Sequence, residues 1–323
     1  MKLCRTKAIL MITVLVVCSL FCKIDGFAKQ VLRPNNKLEK TNDYSNSNIN
    51  RQYKENERVY GEEYTDILMT EILGFNINDI KEVNKDNWFY YNKLDNEQKK
   101  VYETLLLNVV KQQKCTFMIP GFTKENIWNF LKYIQYDHEK IFWIDWTAPS
   151  TLQYNMNNDE FIFHGQSYEQ FQTTEDIYKA WNEIKEFKEI VLSDIEELEE
   201  VQIEKQIYKY IATHTTYDIQ APMNQSLYST VLGKTVCTGY AKMFKYLCNE
   251  AGIDCICIFG QYNNGEYHLW NIVNLDNQIY MVDCTSASTT YNKNKDNLYD
   301  YINKTMNFMD EYYIVNDFFK IDG

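Results

Sequence analysis

The sequence predicts an α+β fold in which one helix packs on an antiparallel sheet, and three observations predict it. Between positions 235 and 252, Tyr240, Phe244, Leu247, Cys248 and Ala251 recur on one face of a 3.6-residue period. Three runs rich in Val, Ile, Phe and Tyr follow, at 253–259, 267–275 and 278–283, parted by turn residues. Ahead of them, positions 61–170 alternate short helical and extended patterns and are rich in aromatics, so a mixed helical and strand region precedes the core.

The helix is bounded by Thr235, which can cap its N-terminus, and by Gly252, which suits a left-handed C-terminal cap. Cys237 then lies in the first turn, among unpaired N–H groups at the positive end of the helix dipole. Both favour a thiolate, the attacking form of cysteine.

The strands place a histidine and an aspartate. Asp276-Asn277 reads as a two-residue hairpin loop, which pairs Leu275 with Gln278, Trp270 with Asp283 and His268 with Thr285. His268 and Asp283 then share one sheet face as diagonal neighbours, within side-chain reach. A one-residue slip would separate them. Asn264-Gly265 reads as a second two-residue loop. It sets Cys255, Cys257 and Phe259 on the face of His268 and under the helix, with Cys284 on the other face. That register disfavours a bridge from Cys255 or Cys257 to Cys284 and leaves Cys248–Cys255 and Cys248–Cys257 bridges open. A lone buried cysteine is usually a small hydrophobe and a lone strand histidine is usually structural. A helix-opening cysteine followed by a strand histidine and a strand aspartate is a far more specific set, and it holds the parts of a thiol nucleophile, its base and the base's orienter.

These residues resemble a known family. The run 235–241, Thr-Val-Cys-Thr-Gly-Tyr-Ala, then His-Leu-Trp-Asn at 268–271 and Tyr-Met-Val-Asp at 280–283, is similar to the transglutaminase-like domain in its bacterial secreted form. The likeness runs from about Tyr208 to Thr285 and includes the lead-in stretches 216–218 and 224–228. It departs at Leu269, where a smaller residue is commoner, and at 285–288, where an acidic or Trp-containing run is frequent. The resemblance implies a papain-like core and a catalytic triad of Cys237, His268 and Asp283.

The chemistry expected of such a set is acyl transfer. The Cys237 thiolate attacks a peptide or glutamine carboxamide carbonyl, His268 carries the proton to the leaving amine, and Asp283 fixes the imidazole tautomer. The backbone N–H of Cys237 can donate to the oxyanion, with Gln225 and Tyr228 as weaker side-chain candidates. Hydrolysis is favoured over crosslinking. The alternative is a non-catalytic cell-surface adaptor that keeps the fold. No cofactor is expected. No metal is expected either, because Cys255-Ile256-Cys257 has no second ligand pair at zinc spacing.

The rest of the chain sets the context. A net charge of −12 over 323 residues argues against nucleic acid and anionic membranes as partners, leaving a protein or peptide substrate and a monomer as the expectation. Residues 1–28 read as a signal peptide or N-terminal anchor: Lys2, Arg5 and Lys7 precede a predominantly apolar stretch of fifteen residues, 8–22, and Gly26-Phe27-Ala28 offers a cleavage site. Secretion or cell-surface display follows, with any membrane contact through that anchor. Residues 29–60 are a polar linker, too poor in apolar residues to order themselves. Residues 61–170 form the mixed region and 171–323 the catalytic domain. Within them, Asp95 and Gln98 form a capping box, 126–134 is a helix, 141–146 and 160–164 are strands, and 173–200 is a long helix broken near Ser193. A second helix spans 201–212, and a final helix and strand occupy 298–319. His138, His164 and His214 are read as packing or surface residues.

Overall fold

A computed structural model describes residues 62–111, 114–117, 124–147, 152–155 and 160–316. The signal and linker segments expected before residue 61 lie outside the described residues.

The mixed region comes first. Helix α1 (Glu62–Leu73) leads into α2 (Asn96–Val110), whose start is the expected box: Asp95 accepts from the Gln98 N–H while the Gln98 side chain takes the Asp95 N–H. Tyr102, Leu105, Leu106 and Val109 are buried along its inner face. Strand β1 (Lys114–Phe117), helix α3 (Lys124–Asp137) and strands β2 (Leu152–Asn155) and β3 (Glu160–His164) complete the region, the strands in antiparallel order β1-β3-β2. The run 141–146 is buried as expected but is not a strand. It pairs with the turn at 166–168, through Asp145 N to Gln166 O and Tyr168 N to Trp143 O, and so joins no sheet.

Helix α4 (Thr174–Val191) starts on a Thr173–Asp176 capping box. The chain then turns through Asp194, held at φ 59°, and restarts as α5 (Glu200–His214). The long helix therefore ends near the expected break at Ser193, the acidic run that follows forms the joint rather than more helix, and α5 is the expected second helix. A short parallel pair, β4 (Thr216–Tyr217) and β5 (Lys234–Thr235), encloses α6 (Tyr228–Val231).

The remaining elements build the core predicted from sequence. Helix α7 (Cys237–Glu250) lies against a sheet of β6 (Asp254–Tyr262), β7 (Tyr267–Leu275), β8 (Gln278–Val282) and β9 (Tyr313–Val315), ordered β8-β7-β6-β9 and antiparallel throughout. Helix α8 (Cys284–Tyr291) follows β8, and α9 (Met306–Tyr312) leads into β9. The two sheet faces carry separate cores. Cys255, Cys257, Leu269 and Val273 pack toward α7, and Ile258, Trp270, Ile272 and Met281 pack with Met309 and Tyr313 on the other side.

The two hairpins differ. Asp276 and Asn277 both adopt positive φ, 51° and 62°, and Leu275 pairs with Gln278, the expected two-residue loop. The β6–β7 hairpin instead closes with Tyr262 N on Glu266 O around a three-residue loop, with Gly265 at φ 88°. Gly260 consequently pairs with His268 and Cys257 with Asn271. The register is one residue off expectation, so Cys255, Cys257 and Phe259 lie on the face opposite His268, although the two cysteines do pack under α7. All six described cysteines are free thiols, and Cys248 and Cys255 share a hydrogen bond in the interior.

The mixed region is fastened to α7. Lys245 of α7 pairs with Glu139 at 2.7 Å and donates to the carbonyls of Tyr136 and Asp137, all in the interior. Tyr90 donates its hydroxyl to the Cys257 carbonyl on β6.

Candidate active site

Cys237 opens α7, half-buried, with Val236 as N-cap. No side chain caps that turn. Thr235, expected to do so, instead donates to the Asn224 carbonyl and holds the preceding loop against the helix. Gly239 is required there, because a Cβ would collide with the Thr235 hydroxyl and lie 2.9 Å from the Ser226 carbonyl.

His268 sits near the start of β7 and is 3% exposed. Its Nε2 lies 2.8 Å from Oδ2 of Asp283. Cys237 acts on the same ring, its sulfur favouring the protonated form. Nε2 is occupied by Asp283, so Nδ1 is the nitrogen left to face the thiol. Two further groups flank the ring. Tyr262 stacks on it at 4.3 Å between centroids, and Trp270 lies near-parallel at 5.9 Å.

Asp283 does not continue the strand. The β7–β8 ladder ends at the Asn271–Val282 pair, and Asp283 becomes the N-cap of α8, its Oδ1 accepting from Ser286 N at 2.9 Å. The expected pairing of His268 with Thr285 is therefore absent, since Thr285 is already helical. The parity argument survives because it needed only the strand up to Asp283. Oδ2 collects the remaining donors: His268, Ser286 Oγ at 2.6 Å, the Tyr313 hydroxyl at 2.9 Å and, more distantly, the Tyr262 hydroxyl at 3.3 Å.

The electrostatics follow from this crowding. Burial alone would raise the Asp283 carboxyl, but the His268 charge and the Ser286 hydrogen bonds outweigh it and hold the pKa at about 2. Burial alone would lower His268. The Asp283 charge and hydrogen bond, with Cys237 adding, overcome it and push the pKa up to about 10. The ring is thus a buried imidazolium between an acceptor carboxylate and a sulfur, the arrangement a cysteine nucleophile uses to keep a proton ready for a leaving group.

Residues 191–284 match the Transglutaminase-like superfamily. The matched segment ends just past Asp283 and so contains Cys237, His268 and Asp283. Among curated proteins, kyphoscoliosis peptidase of Mus musculus is 32% identical over 99 residues, 25% of this chain and 15% of that protein. The Homo sapiens kyphoscoliosis peptidase is 30% identical over 132 residues, 35% of this chain and 20% of that protein. The chain thus matches only a small part of the length of these relatives. Among solved structures, a TGase shares 16% identity at a TM-score of 0.32, over 63% of this chain and 58% of that one.

The other candidates resolve differently. Tyr228 donates its hydroxyl to Glu183 of α4 at 2.6 Å, which commits that proton away from Cys237. Gln225 takes part through its backbone carbonyl, which accepts from buried Lys242 of α7 at 3.1 Å. His214 stacks on Tyr210 at 4.0 Å, exposed, a surface role as expected. Sequence reasoning missed Tyr262, Ser286 and Tyr313. Ser286 had a signal, since Asp283 followed three residues later by Ser286 is an N-cap pattern. Tyr313 had none, because it reaches the site through a strand thirty residues away.

Proposed function

We propose that this chain is a cysteine acyl-transfer enzyme in which Cys237, His268 and Asp283 act on peptide or glutamine carboxamide bonds, with hydrolysis favoured over crosslinking. One observation carries the reading: a single buried imidazole is held by Asp283 on Nε2 and lies close enough to the helix-opening Cys237 for the sulfur to favour its protonated form. In the acylation step the Cys237 sulfur forms a bond to the carbonyl carbon, and the C–N bond breaks as His268 passes its proton to the departing amine. Water then attacks the thioester, His268 takes its proton, and the acid leaves as the thiol is restored. An amine in place of water gives a crosslink. The backbone N–H of Cys237 supplies one oxyanion donor. The name of the mammalian relatives as peptidases supports hydrolysis. The basic start and fifteen-residue apolar stretch at 8–22 support export to the cell surface or beyond.

Ammonia release from a glutamine peptide, measured with and without an amine acceptor beside peptide-bond cleavage, tests this reading. Cleavage or deamidation unaffected by the amine is the expected result. Amine incorporation as the main product would replace hydrolysis with crosslinking. No product from any of them would remove the enzyme.

A further inference from the structure

The residues around Asp283 share a property that the triad alone does not require. Among the described residues, six phenols and thiols feel its charge: Tyr262 on β6, Tyr313 on β9, Tyr240 on α7, Tyr208 on α5, Tyr301 before α9 and Cys284 on α8. Burial pushes each of them above its ordinary range, so all stay neutral at physiological pH. The charged Asp283–His268 pair thus sits among neutral donors. Two of those phenols touch it, and their shortest contacts fall on opposite partners. Tyr313 donates to Asp283 Oδ2 at 2.9 Å, competing with His268 for that oxygen. The Tyr262 oxygen lies 2.9 Å from His268 Nε2 and 2.8 Å from Ser286 Oγ, and its hydroxyl reaches Asp283 Oδ2 only at 3.3 Å. It can accept from the ring while passing its own proton to the serine.

Tyr313 arrives on a strand built for the purpose. β9 pairs with β6 through Gly260, Gln261 and Tyr262, opposite Val315, Ile314 and Tyr313. Gly260 makes the approach possible. A Cβ there would overlap the Ile314 carbonyl and come within 2.6 Å of the Trp270 ring. The Trp270 and Tyr313 rings in turn pack at 4.8 Å.

We propose that Tyr313 is a positioning residue that weakens the hold of Asp283 on the His268 imidazolium and so sets the pH at which the Cys237–His268 pair gives up its proton. The proposal rests on the triad reading above. A carboxylate that already accepts from neutral donors is a poorer partner for a cation, so removing one donor tightens its grip on the ring. Tyr262 acts on balance in the other direction, its oxygen favouring the protonated ring at 2.9 Å while its contact with Oδ2 is the longer one at 3.3 Å.

The test is the rate of carboxymethylation of Cys237 by iodoacetate as a function of pH, followed by peptide mass spectrometry on the full chain. An anionic reagent is drawn by the imidazolium, so the rate falls as His268 loses its proton, and that upper limb reports the pair. Tyr313→Phe is expected to move the upper limb up by about one pH unit with the lower limb, set by the thiol, in place. Tyr262→Phe is expected to move it down. Ser286→Ala, which also removes a donor from Oδ2, moves it up and carries the test if Tyr313→Phe does not fold. An unmoved upper limb in a folded Tyr313→Phe protein, or both tyrosine variants shifting the same way, overturns the proposal. A wild-type profile with no upper limb, or one identical in His268→Ala, instead defeats the triad itself.

Discussion

Two histidines are buried in this molecule, and burial does opposite things to their proton affinity. His138 lies between the mixed region's aromatic rings, edge-on to Trp88 at 4.5 Å, with Phe75 and Tyr102 around it. Among the described residues its Nε2 has no hydrogen-bond partner. Burial, with the Lys245 charge adding, drives its pKa down to about 3. His268 is as deeply enclosed, yet Asp283 and Cys237 push it up to about 10. Desolvation is common to both, and the partners decide the sign. A buried ring without an acceptor is packing, and a buried ring between a carboxylate and a thiol is a proton store.

The largest effect that tests this contrast is on turnover. Cys237→Ala and His268→Ala should each lower the rate by at least about 10³-fold, whereas His138→Phe should leave it within about twofold. An assay on the three variants at matched folded fraction checks it. The triad acts as one unit, so the Cys237→Ala/Asp283→Asn double variant should be no slower than Cys237→Ala alone.

Asp283→Asn comes next. By itself it should cost roughly 10²- to 10⁴-fold in rate. It also lowers stability, because the buried carboxylate serves His268, Ser286 and Tyr313 and caps α8. Thermal melting should show a loss of about 1–3 kcal/mol. A wild-type melting temperature in this variant would mean that the contacts at Oδ2 add nothing to the fold.

The two rings should also leave opposite marks on stability against pH. His138 binds its proton more weakly folded than unfolded, so stability falls as pH drops from about 6.5 toward 3, by about 1 kcal/mol per unit. His268 binds more tightly when folded. Its contribution is complete below about 6.5 and is lost as pH rises toward 10. Asp137 and Glu204, raised by burial to about 6 and about 7, oppose the acid-side loss, so the comparison is made by difference. Denaturant midpoints across pH should flatten on the acid side in His138→Phe and on the alkaline side in His268→Gln. The reverse assignment would contradict the partners named here.

The smallest effects concern the scaffold. Gly260→Ala forces a methyl against Trp270 and the β9 carbonyl and should cost about 1–3 kcal/mol. Tyr228→Phe should leave turnover unchanged, its hydroxyl being spent on Glu183.

What the sequence disclosed about this site follows the range of the interactions. The α7 face, the Asp276-Asn277 loop and the Asp95 box are local, and each reads directly from residue type and spacing. The shared face of His268 and Asp283 was legible because one tight hairpin fixes it. The β6–β7 register was not, since Asn264-Gly265 also fits a three-residue loop with Gly265 in the left-handed position, and the pattern of apolar residues on both faces of β6 gives no vote. The helical start at Asp283 was obscured by the strand before it. Tyr313, Lys245 and Glu139 act across long stretches of chain, and no local pattern points to them.

The central claim is that Cys237 forms a covalent acyl intermediate with the help of His268. Incubating the protein with an activated peptide ester, quenching in acid and mapping the adduct by mass spectrometry tests it most directly. An acyl group on Cys237 that forms and then decays in the wild type, and fails to form in His268→Ala, is the predicted result. No adduct at Cys237, or the same adduct at the same rate without His268, would contradict it.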